Sequence, residues 1–299
     1  MSFIEVEGIS KSFQTSTGTR DVLRQVSLTI DRGEFVSIVG AMGSGKSTLL
    51  SLLSGLTQPD TGTVSVGGTV TRGVRNDSAV VFQNYSLLPW FTALENVRLA
   101  VEAACPELSK QEQRARATQT LERVGLSNAF DKRPRQLSGG MRQRVAIARA
   151  FATKPDVLFL DEPFGALDAL TRDTLQQELA RLCRDDDRQV TTVMITNSVE
   201  EAILLSDRIV PMIPGPPLDC ARRTRGVNER APTTLGTPIP VDLPRPRTLA
   251  QLAHDEQATH ARAHVIAALT AALGRKRATS PLQPDAASAV LRPVAEEPR

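Results

Sequence analysis

Short apolar runs alternate with segments of helical periodicity over roughly the first 210 residues of the chain. Three of these runs, at residues 34–39, 156–160 and 191–195, have the length and composition of buried strands. A polar stretch and a helix-like segment follow each run, which is typical of a parallel sheet with crossover helices. Residues 92–124 are predicted to be helical, with no strand between. The pattern therefore predicts an α/β core that carries a helical insert.

The composition changes after this point. Nine of the nineteen prolines fall within residues 211–246, too many for a helix interior or a central strand. We predict that residues 216–247 form a proline-rich extended arm running over a surface. Helical spacing returns in a short segment at 248–274, and the mixed Pro, Ala and charged residues of 275–299 predict a disordered tail.

Composition limits the possible partners. The chain has 299 residues, of which 40% are hydrophobic, and its 36 Lys and Arg against 33 Asp and Glu give a net charge of +3. A surplus this small, with 4% aromatic residues for stacking on bases, predicts no nucleic-acid partner. Cys105, Cys183 and Cys220 form no CxxC pair, which argues against a disulfide framework or a zinc site.

The N-terminal residues lack the basic start and apolar core of a secretory signal. No apolar run approaches the roughly 20 residues that span a bilayer. A reducing cytosol is the simplest location for such a chain. If the protein works at a membrane, we expect it to do so through a partner.

A glycine-rich sequence matching the pattern GxxxxGK[ST] begins where the first buried strand ends. Its glycines allow backbone N–H groups to turn inward as an anion-binding nest at the start of a helix. Lys46 supplies a positive charge for the β- and γ-phosphates of a nucleotide, and the Ser47 hydroxyl is placed to ligate Mg²⁺. The alternative is a glycine-rich turn that matches by chance. The predicted nucleotide-binding residues are Gly40, Ala41, Met42, Gly43, Ser44, Gly45, Lys46, Ser47 and Thr48.

The second buried strand leads into two carboxylates, Asp161 and Glu162. Ligands of open α/β sheets lie at the carboxyl ends of the strands, so we expect this pair beside the phosphate loop. Asp161 would hold Mg²⁺ through water, and Glu162 would orient or deprotonate an attacking water. Two surface acids at a strand end are the alternative, which the phosphate loop makes much weaker.

Between these two motifs, residues 137–144 read LSGGMRQR and open a helix whose N-terminus is a second anion site. The sequence resembles the signature motif of ATP-binding cassette (ABC) proteins, which other phosphate-loop NTPases lack. The resemblance implies a head-to-tail dimer with two ATP molecules between the subunits. Each ATP would be touched by Lys46 of one subunit and by the signature residues of the other, Ser138, Gly139, Gly140 and Gln143.

The resemblance covers about residues 2–215 and implies that residues 1–215 form the ABC cassette. Its implied fold class is α/β, a phosphate-loop NTPase core with an N-terminal antiparallel β subdomain and a helical insert at about 84–150. In the family, the insert grips a membrane partner, so residues 85–91 are expected to line that groove.

Three further positions match the family pattern. Phe13 lies where the family has a ring that stacks on adenine, although a lone Phe near a strand is otherwise usually a core residue. Gln83 matches the glutamine that meets Mg²⁺ and the attacking water, which gives Ser47, Gln83 and Asp161 as the implied Mg²⁺ site. Asp168 matches the loop that crosses the dimer interface.

One position departs from the family pattern. After the last core strand the family has a histidine that contacts the γ-phosphate, and this chain has Asn197 there. An asparagine can donate a hydrogen bond to phosphate but carries no titratable proton. Alternatively, Asn197 or Ser198 caps the next helix, with Glu200 or Glu201 closing a capping box. We expect hydrolysis that is slower but real, because Glu162 is intact.

All three histidines, His254, His260 and His264, lie in the C-terminal part of the chain. The last two are four residues apart, which is the spacing of neighbours on one helix face. We interpret them as exposed surface residues. The alternative is that the appendage senses a molecule.

A single cassette without fused membrane helices, coiled-coil insertions or zinc insertions resembles a stand-alone importer subunit. Residues 83–97 and 141–172 are similar to the nitrate/sulfonate/taurine group of importers. Residues 195–216 and 237–247 are most similar to its nitrate, bicarbonate and cyanate branch. The resemblance implies an ATPase that drives import of a small anion, nitrate above all, with sulfonate, taurine or bicarbonate as other substrates.

The same resemblance implies ATP and Mg²⁺ as cofactors and three kinds of protein partner. These are a second ATP-binding subunit in a homodimer or heterodimer, an integral-membrane permease, and a periplasmic or lipid-anchored binding protein that selects the substrate. The subunit would then be peripheral, on the cytoplasmic face of the inner membrane. The alternative is an ATP-gated dimerising clamp or regulatory module with little turnover, marked by Asn197.

Overall fold

The computed structural model describes residues 2–16, 18–185, 188–215 and 231–277. In chain order its strands are β1 (Ser2–Thr15), β2 (Gly18–Asp31), β3 (Phe35–Val39), β4 (Thr61–Val66), β5 (Thr69–Val70), β6 (Ser78–Val81), β7 (Val157–Asp161), β8 (Arg184–Asp185), β9 (Arg188–Gln189), β10 (Thr191–Thr196), β11 (Arg208–Pro214), β12 (Thr233–Leu235) and β13 (Ile239–Pro240). The helices are α1 (Lys46–Leu53), α2 (Ala93–Ala104), α3 (Lys110–Arg123), α4 (Gly139–Ala152), α5 (Ala169–Cys183), α6 (Val199–Leu205), α7 (Leu249–His254) and α8 (Glu256–Arg277), with a 3₁₀ turn at Pro134–Gln136.

The N-terminal subdomain is antiparallel, as predicted. β1 pairs with β2 and with β4, and β4 pairs with β5. In β2 the buried positions alternate with exposed ones, Val26, Leu28 and Ile30 pointing inward, which is the period of two expected of a half-buried strand. These side chains form one hydrophobic cluster with the buried leucines of α1.

The core sheet is parallel and runs in the order β11-β3-β10-β7-β6. The three strands predicted from apolar runs are β3, β7 and β10, and β3 and β10 are buried throughout because helices cover both faces of this sheet. A second hydrophobic cluster joins the sheet to α2, α4, α5 and α6. The predicted α/β fold is confirmed.

The predicted helical insert contains α2, α3 and α4. Capping boxes define the starts of α2, by Thr92 and Glu95, and of α3, by Ser109 and Glu112. α4 contacts α2, α3, α5 and β6, so it is surrounded rather than lying on the surface with one buried face. None of the helices in the described ranges is both long and apolar enough to span a membrane.

The arm differs from the expected surface segment where the structure describes it. β12 lies inside the sheet, antiparallel to β11 and parallel to β2, and β13 pairs with β11. The short strands are compatible with the prolines because each has only two or three residues, and Pro240 is the last residue of β13. Helices α7 and α8 then pack on α6. Residues 216–230, including Cys220, and the tail beyond Arg277 lie outside the described residues.

Arg247 ties the arm to the core. Its guanidinium is 9% exposed and donates five hydrogen bonds to backbone carbonyls. Two of the acceptors, Ile203 and Ser206, are at the end of α6, and the other two, Val241 and Leu243, are in the arm. Burial lowers the pKa of Arg247 to about 10, so the group stays charged at neutral pH.

We expect Arg247→Met to lower the free energy of unfolding by about 3 kcal/mol, because buried carbonyls lose their only charged donor among the described contacts. Urea denaturation of the purified chain measures this. The matched control is Arg262→Met, whose partly exposed guanidinium faces exposed Glu200 at 3.5 Å and should cost about 0.5 kcal/mol or less. Equal losses in the two variants would show that Arg247 does not hold the arm.

Candidate functional site

The predicted site residues meet at one edge of the core sheet. The phosphate loop follows β3, and Asn197 follows β10. Asp161 is the last residue of β7 and Glu162 comes directly after it, while Gln83 follows β6. Since β10 lies between β3 and β7, Asn197 is placed between the phosphate loop and the carboxylates. The strand order thus assembles groups that are far apart in the sequence.

The phosphate loop has the backbone shape of an anion nest. Gly43 and Gly45 have φ of 73° and 97°, in the left-handed region that glycine adopts without strain. A Cβ on Gly45 would lie 2.8 Å from Val22 Cγ1, so close packing also requires glycine there. α1 begins at Lys46, and the loop is therefore at a helix N-terminus where N–H groups are unpaired.

Lys46 is the buried centre of a polar network at the sheet edge. Its side chain is 4% exposed, and Nζ donates to the carbonyls of Gly40 and Ala41 at 3.0 and 3.1 Å and to Asn197 Oδ1 at 2.6 Å. Glu162 Oε1 lies 3.6 Å from Nζ. Burial lowers the pKa of Lys46, and the charges of Glu162 and Asp161 oppose that shift. The ammonium is thus held where a phosphate would meet it.

The donors expected for Mg²⁺ lie together. Ser47 Oγ donates to Asp161 Oδ1 at 3.2 Å, at the open end of the phosphate loop. Burial is the main cause that raises the pKa of Asp161, which a cation beside the carboxylate would reverse. One hydroxyl and one carboxylate beside a phosphate site fit Mg²⁺, which prefers oxygen ligands and few protein groups.

Glu162 has a constrained backbone. Its φ of 43° is in the left-handed region, its N–H donates to the carbonyl of Ile195 at 3.0 Å, and its Oε1 accepts from Asn197 Nδ2 at 2.7 Å. Such a conformation costs about 1–3 kcal/mol and is typical of functional sites. A Cβ on Gly165 would lie 3.9 Å from Gln83 Nε2 and 4.0 Å from Glu162 Oε2, so the amide of Gln83 and this carboxylate approach the same point.

Asn197 joins the site, and its neighbour caps the helix. Ser198 is the N-cap of α6, and its hydroxyl accepts from the N–H of Glu201 at 3.2 Å. Glu201 closes no capping box with Ser198. Its buried carboxylate accepts from Thr196 Oγ1 at 2.6 Å, and Thr196 Oγ1 accepts in turn from the N–H of Ser198. Ser198 is therefore the cap, without the predicted capping box, and the contact of Asn197 with a phosphate stays a prediction.

The signature residues lie at the start of α4. Ser138 is the exposed N-cap, and its hydroxyl accepts from the N–H of Met141 at 3.2 Å. Gly139 is half-buried and Gly140 is buried. A Cβ on Gly140 would lie 2.4 Å from Thr171 Cγ2, so the close approach of α4 and α5 requires glycine there.

The resemblance implies that Gln143 contacts a nucleotide, and the structure places this residue in the interior of the chain. It is 0% exposed, and neither of its amide atoms has a hydrogen-bond partner among the described residues. α4 contacts α2, α3, α5 and β6, and Gln143 is buried within this packing. Phe13, by contrast, is 42% exposed on β1, with the ammonium of Lys11 5.6 Å from the centre of its ring. An exposed ring of this kind is free to stack.

Asp168 is exposed at the start of α5, where its carboxylate accepts from the N–H of Thr171 at 3.0 Å. That bond lowers the pKa of Asp168. Exposed apolar side chains lie in the phosphate loop and at the start of α5. Met42 of the loop is 82% exposed, and Leu170 of α5 is 83% exposed.

Two contacts at the site could not be predicted from a sequence motif. Arg149 on α4 donates to the backbone carbonyls of Tyr85 and Ser86. Both of these residues lie shortly after Gln83 in the sequence, and both have positive φ. Thr233 of the arm donates to the carbonyl of Ser44 in the phosphate loop. The positions of neither donor could be inferred from spacing, because each contact joins distant parts of the chain.

A cavity of about 600 Å³ lies between α3 and the end of α4. Its lining includes Leu108, Glu112, Arg116, Phe151 and Lys154. Residues 85–91, expected to line a groove in this subdomain, are not among its lining residues. Within that segment Trp90 is 63% exposed and packs edge-to-face on Phe91.

Comparison with known proteins places these features in a family. Residues 23–165 match the family model described as ABC transporter. The bicarbonate transport ATP-binding protein CmpD of Synechocystis sp. is 49% identical over 215 residues, which cover 72% of this chain and 76% of CmpD. The nitrate import ATP-binding protein NrtD of Synechococcus elongatus is 49% identical over 214 residues, covering 72% of this chain and 77% of NrtD.

A solved structure is similar in the same region. It is the dimeric, post-hydrolysis state of the ATP-binding cassette MJ0796 bound to ADP and Pi, with a TM-score of 0.64 and 35% sequence identity. The match covers 70% of this chain and 93% of that one. The resemblance inferred from the signature motif is confirmed. The chain belongs to the ABC transporter family, as one of its ATP-binding cassettes.

Proposed function

We propose that this chain is the ATP-hydrolysing subunit that drives import of a small anion through a partner permease. One observation carries the proposal: two relatives with 49% identity are the ATP-binding subunits of a bicarbonate transporter and of a nitrate importer. The polar network of Lys46, Asn197 and Glu162 supports it, because these groups are arranged around one phosphate position.

Different residues of the nucleotide site have different roles in hydrolysis. The phosphate loop and Lys46 bind the phosphates of ATP, and Glu162 orients the attacking water and takes its proton. Ser47, Asp161 and Gln83 would hold Mg²⁺, which neutralises charge on the phosphates when bound. Asn197 can turn its amide from Glu162 to the γ-phosphate, since it needs no change of protonation to donate.

A second ATP-binding subunit would cover the exposed side of this site. Ser138 and Asp168 are both exposed, and Met42 and Leu170 add exposed apolar surface that a partner would bury. We infer a dimer of two copies, or of one copy and a homologue, that closes when ATP binds. To reverse a 99:1 bias toward the open state, ATP must bind the closed state about 10⁴-fold more tightly.

The permease would bind the helical subdomain. The cavity between α3 and α4 mixes apolar walls with the cations Arg116 and Lys154, and exposed Trp90 adds an aromatic surface. We infer that a permease segment docks on this subdomain at residues 85–91, and that the chain is peripheral on the cytoplasmic face of the inner membrane. A periplasmic or lipid-anchored binding protein would select the substrate, because no residue of this chain would contact the anion.

Nitrate is the substrate we propose first, with bicarbonate and a sulfonate such as taurine as the other members of the class. The test is uptake of labelled nitrate, bicarbonate and an alkanesulfonate in cells lacking the gene, rescued by wild type or by Lys46→Ala. Loss of nitrate uptake that only wild type restores supports both the importer and the substrate. Loss of another anion keeps the importer and changes the substrate. No loss, or full rescue by Lys46→Ala, contradicts the importer.

We expect the assembled transporter to hydrolyse ATP at steady state, because Glu162 and its partners are in place. We expect Asn197→His to stay active. Its hydrolysis rate should also depend on pH with a midpoint at about pH 6.5, because histidine titrates there and asparagine does not. Hydrolysis rates of both proteins between about pH 5 and 8 measure this. If wild type shows no hydrolysis and Asn197→His restores it, the protein is the ATP-gated clamp instead.

A further inference from the structure

The C-terminal arm contacts the phosphate loop directly. The hydroxyl of Thr233, the first residue of β12, donates to the backbone carbonyl of Ser44, and the carbonyl oxygen of Val22 on β2 is a second acceptor at 3.1 Å. Ser44 lies inside the loop, between Gly43 and Gly45. A residue outside the nucleotide-binding motifs therefore makes a hydrogen bond with their backbone.

Thr233 is fixed on two sides by the sheet. It pairs with Pro214 of β11 and with Leu23 of β2. Next to it, the N–H of Gly215 donates to the carbonyl of Pro232 at 2.7 Å. Because its backbone is held by both neighbouring strands, the hydroxyl presents a fixed donor to the loop rather than following the loop's movements.

The geometry of the peptide bond gives this contact a consequence. The bond between Ser44 and Gly45 is trans, and in a planar trans peptide the C=O and the N–H point in opposite directions. Drawing the carbonyl of Ser44 toward Thr233 therefore turns the N–H of Gly45 away from the arm. That direction is the inner side of the loop, where a phosphate binds.

Among the described contacts, the bond from Thr233 is the one that holds the carbonyl of Ser44. Gly45 has no side chain to limit rotation, and glycine adopts both signs of φ with similar ease. A donor on the outer side is therefore needed to keep its N–H inward. Packing helps on the same side, since a Cβ on Gly45 would lie 3.5 Å from Thr233 Oγ1.

We propose that Thr233 is a positioning residue for nucleotide binding, whose hydroxyl holds the Ser44–Gly45 peptide with its N–H directed at the phosphate. The proposal rests on the nucleotide site of the proposed function and adds the arm to it. It assigns the arm a role in ATP affinity, separate from any contact with the permease.

The test compares two adjacent threonines in the purified full chain. Thr233→Val keeps the side-chain shape and removes the hydroxyl, and the loss of one hydrogen bond should weaken ATP binding about fivefold. Thr234→Val is the matched control, because successive side chains leave opposite faces of a strand. Thr233→Ser keeps the hydroxyl and should bind ATP as wild type does. A fluorescent ATP analogue measures the dissociation constants, and hydrolysis gives KM and kcat.

The proposal expects KM for ATP to rise about fivefold in Thr233→Val while kcat stays within about twofold. A thermal scan checks folding, and if the valine variant is unstable, Thr233→Ala removes the same hydroxyl with a smaller side chain. Wild-type affinity in a folded variant lacking the hydroxyl overturns the proposal, as does an equal loss in Thr234→Val. Since no permease is present, these outcomes are independent of whether the protein imports an anion.

Discussion

Glu162→Gln is expected to reduce steady-state ATP hydrolysis about 10³-fold while ATP binding is retained. In the wild-type protein, Asn197 Nδ2 donates to Glu162 Oε1 at 2.7 Å. Glutamine keeps an oxygen that can accept this hydrogen bond, so the local geometry should persist. The substitution removes the only function that the amide cannot supply, which is accepting the proton of the attacking water. It also removes a negative charge that lies 3.6 Å from Lys46. The loss of this charge favours binding of the anionic nucleotide.

The measurement is the rate of phosphate release by the purified chain, with binding of a labelled ATP measured in parallel. Glu200→Gln is the matched control, because Glu200 is exposed on α6 and should leave the rate unchanged. A Glu162→Gln protein that keeps a tenth or more of the wild-type rate would assign the proton transfer to another group. Accumulation of an ATP-bound dimer in this variant would support the two-subunit site.

Much of the site could be predicted because its reactive residues lie at the ends of predicted strands. Lys46, Asp161 and Glu162 belong to short motifs that directly follow apolar runs, and parallel strands bring their carboxyl ends to one edge. The relation of Asn197 to these groups required the strand order. The sequence does not show that β10 lies between β3 and β7, and that order is what makes Asn197 bridge Lys46 and Glu162.

Two features were outside the reach of sequence patterns for different reasons. α4 is covered by several elements, which its own sequence does not show, and Gln143 is buried among them. The proline content of the arm is compatible with the short strands β12 and β13 that the structure describes there. It carried no information on where the short strand β12 inserts, because pairing with β2 joins residues about 200 positions apart.

Lys46→Ala is expected to weaken ATP binding about 100-fold and to abolish uptake by the assembled importer. The ammonium is the one cation among the described residues that donates to both loop carbonyls, of Gly40 and Ala41, and to Asn197. Charged hydrogen bonds to a phosphate contribute about 1.5–3 kcal/mol, which corresponds to about 10- to 150-fold in affinity. The empty position also leaves Glu162 without its positive neighbour, and repulsion between this carboxylate and the γ-phosphate adds to the loss.

Lys132→Ala is the control for this loss, since Lys132 is exposed and its described contacts are made by backbone atoms. Binding of a labelled ATP to each purified variant gives the affinity, and a thermal scan shows whether Lys46→Ala remains folded. Removing a buried ammonium releases its desolvation cost, which already lowers the pKa of Lys46, so the variant is expected to fold. Affinity within about threefold of wild type in a folded Lys46→Ala protein would contradict the placement of the phosphates beside this side chain, and with it the catalytic geometry argued for Glu162 and Asn197.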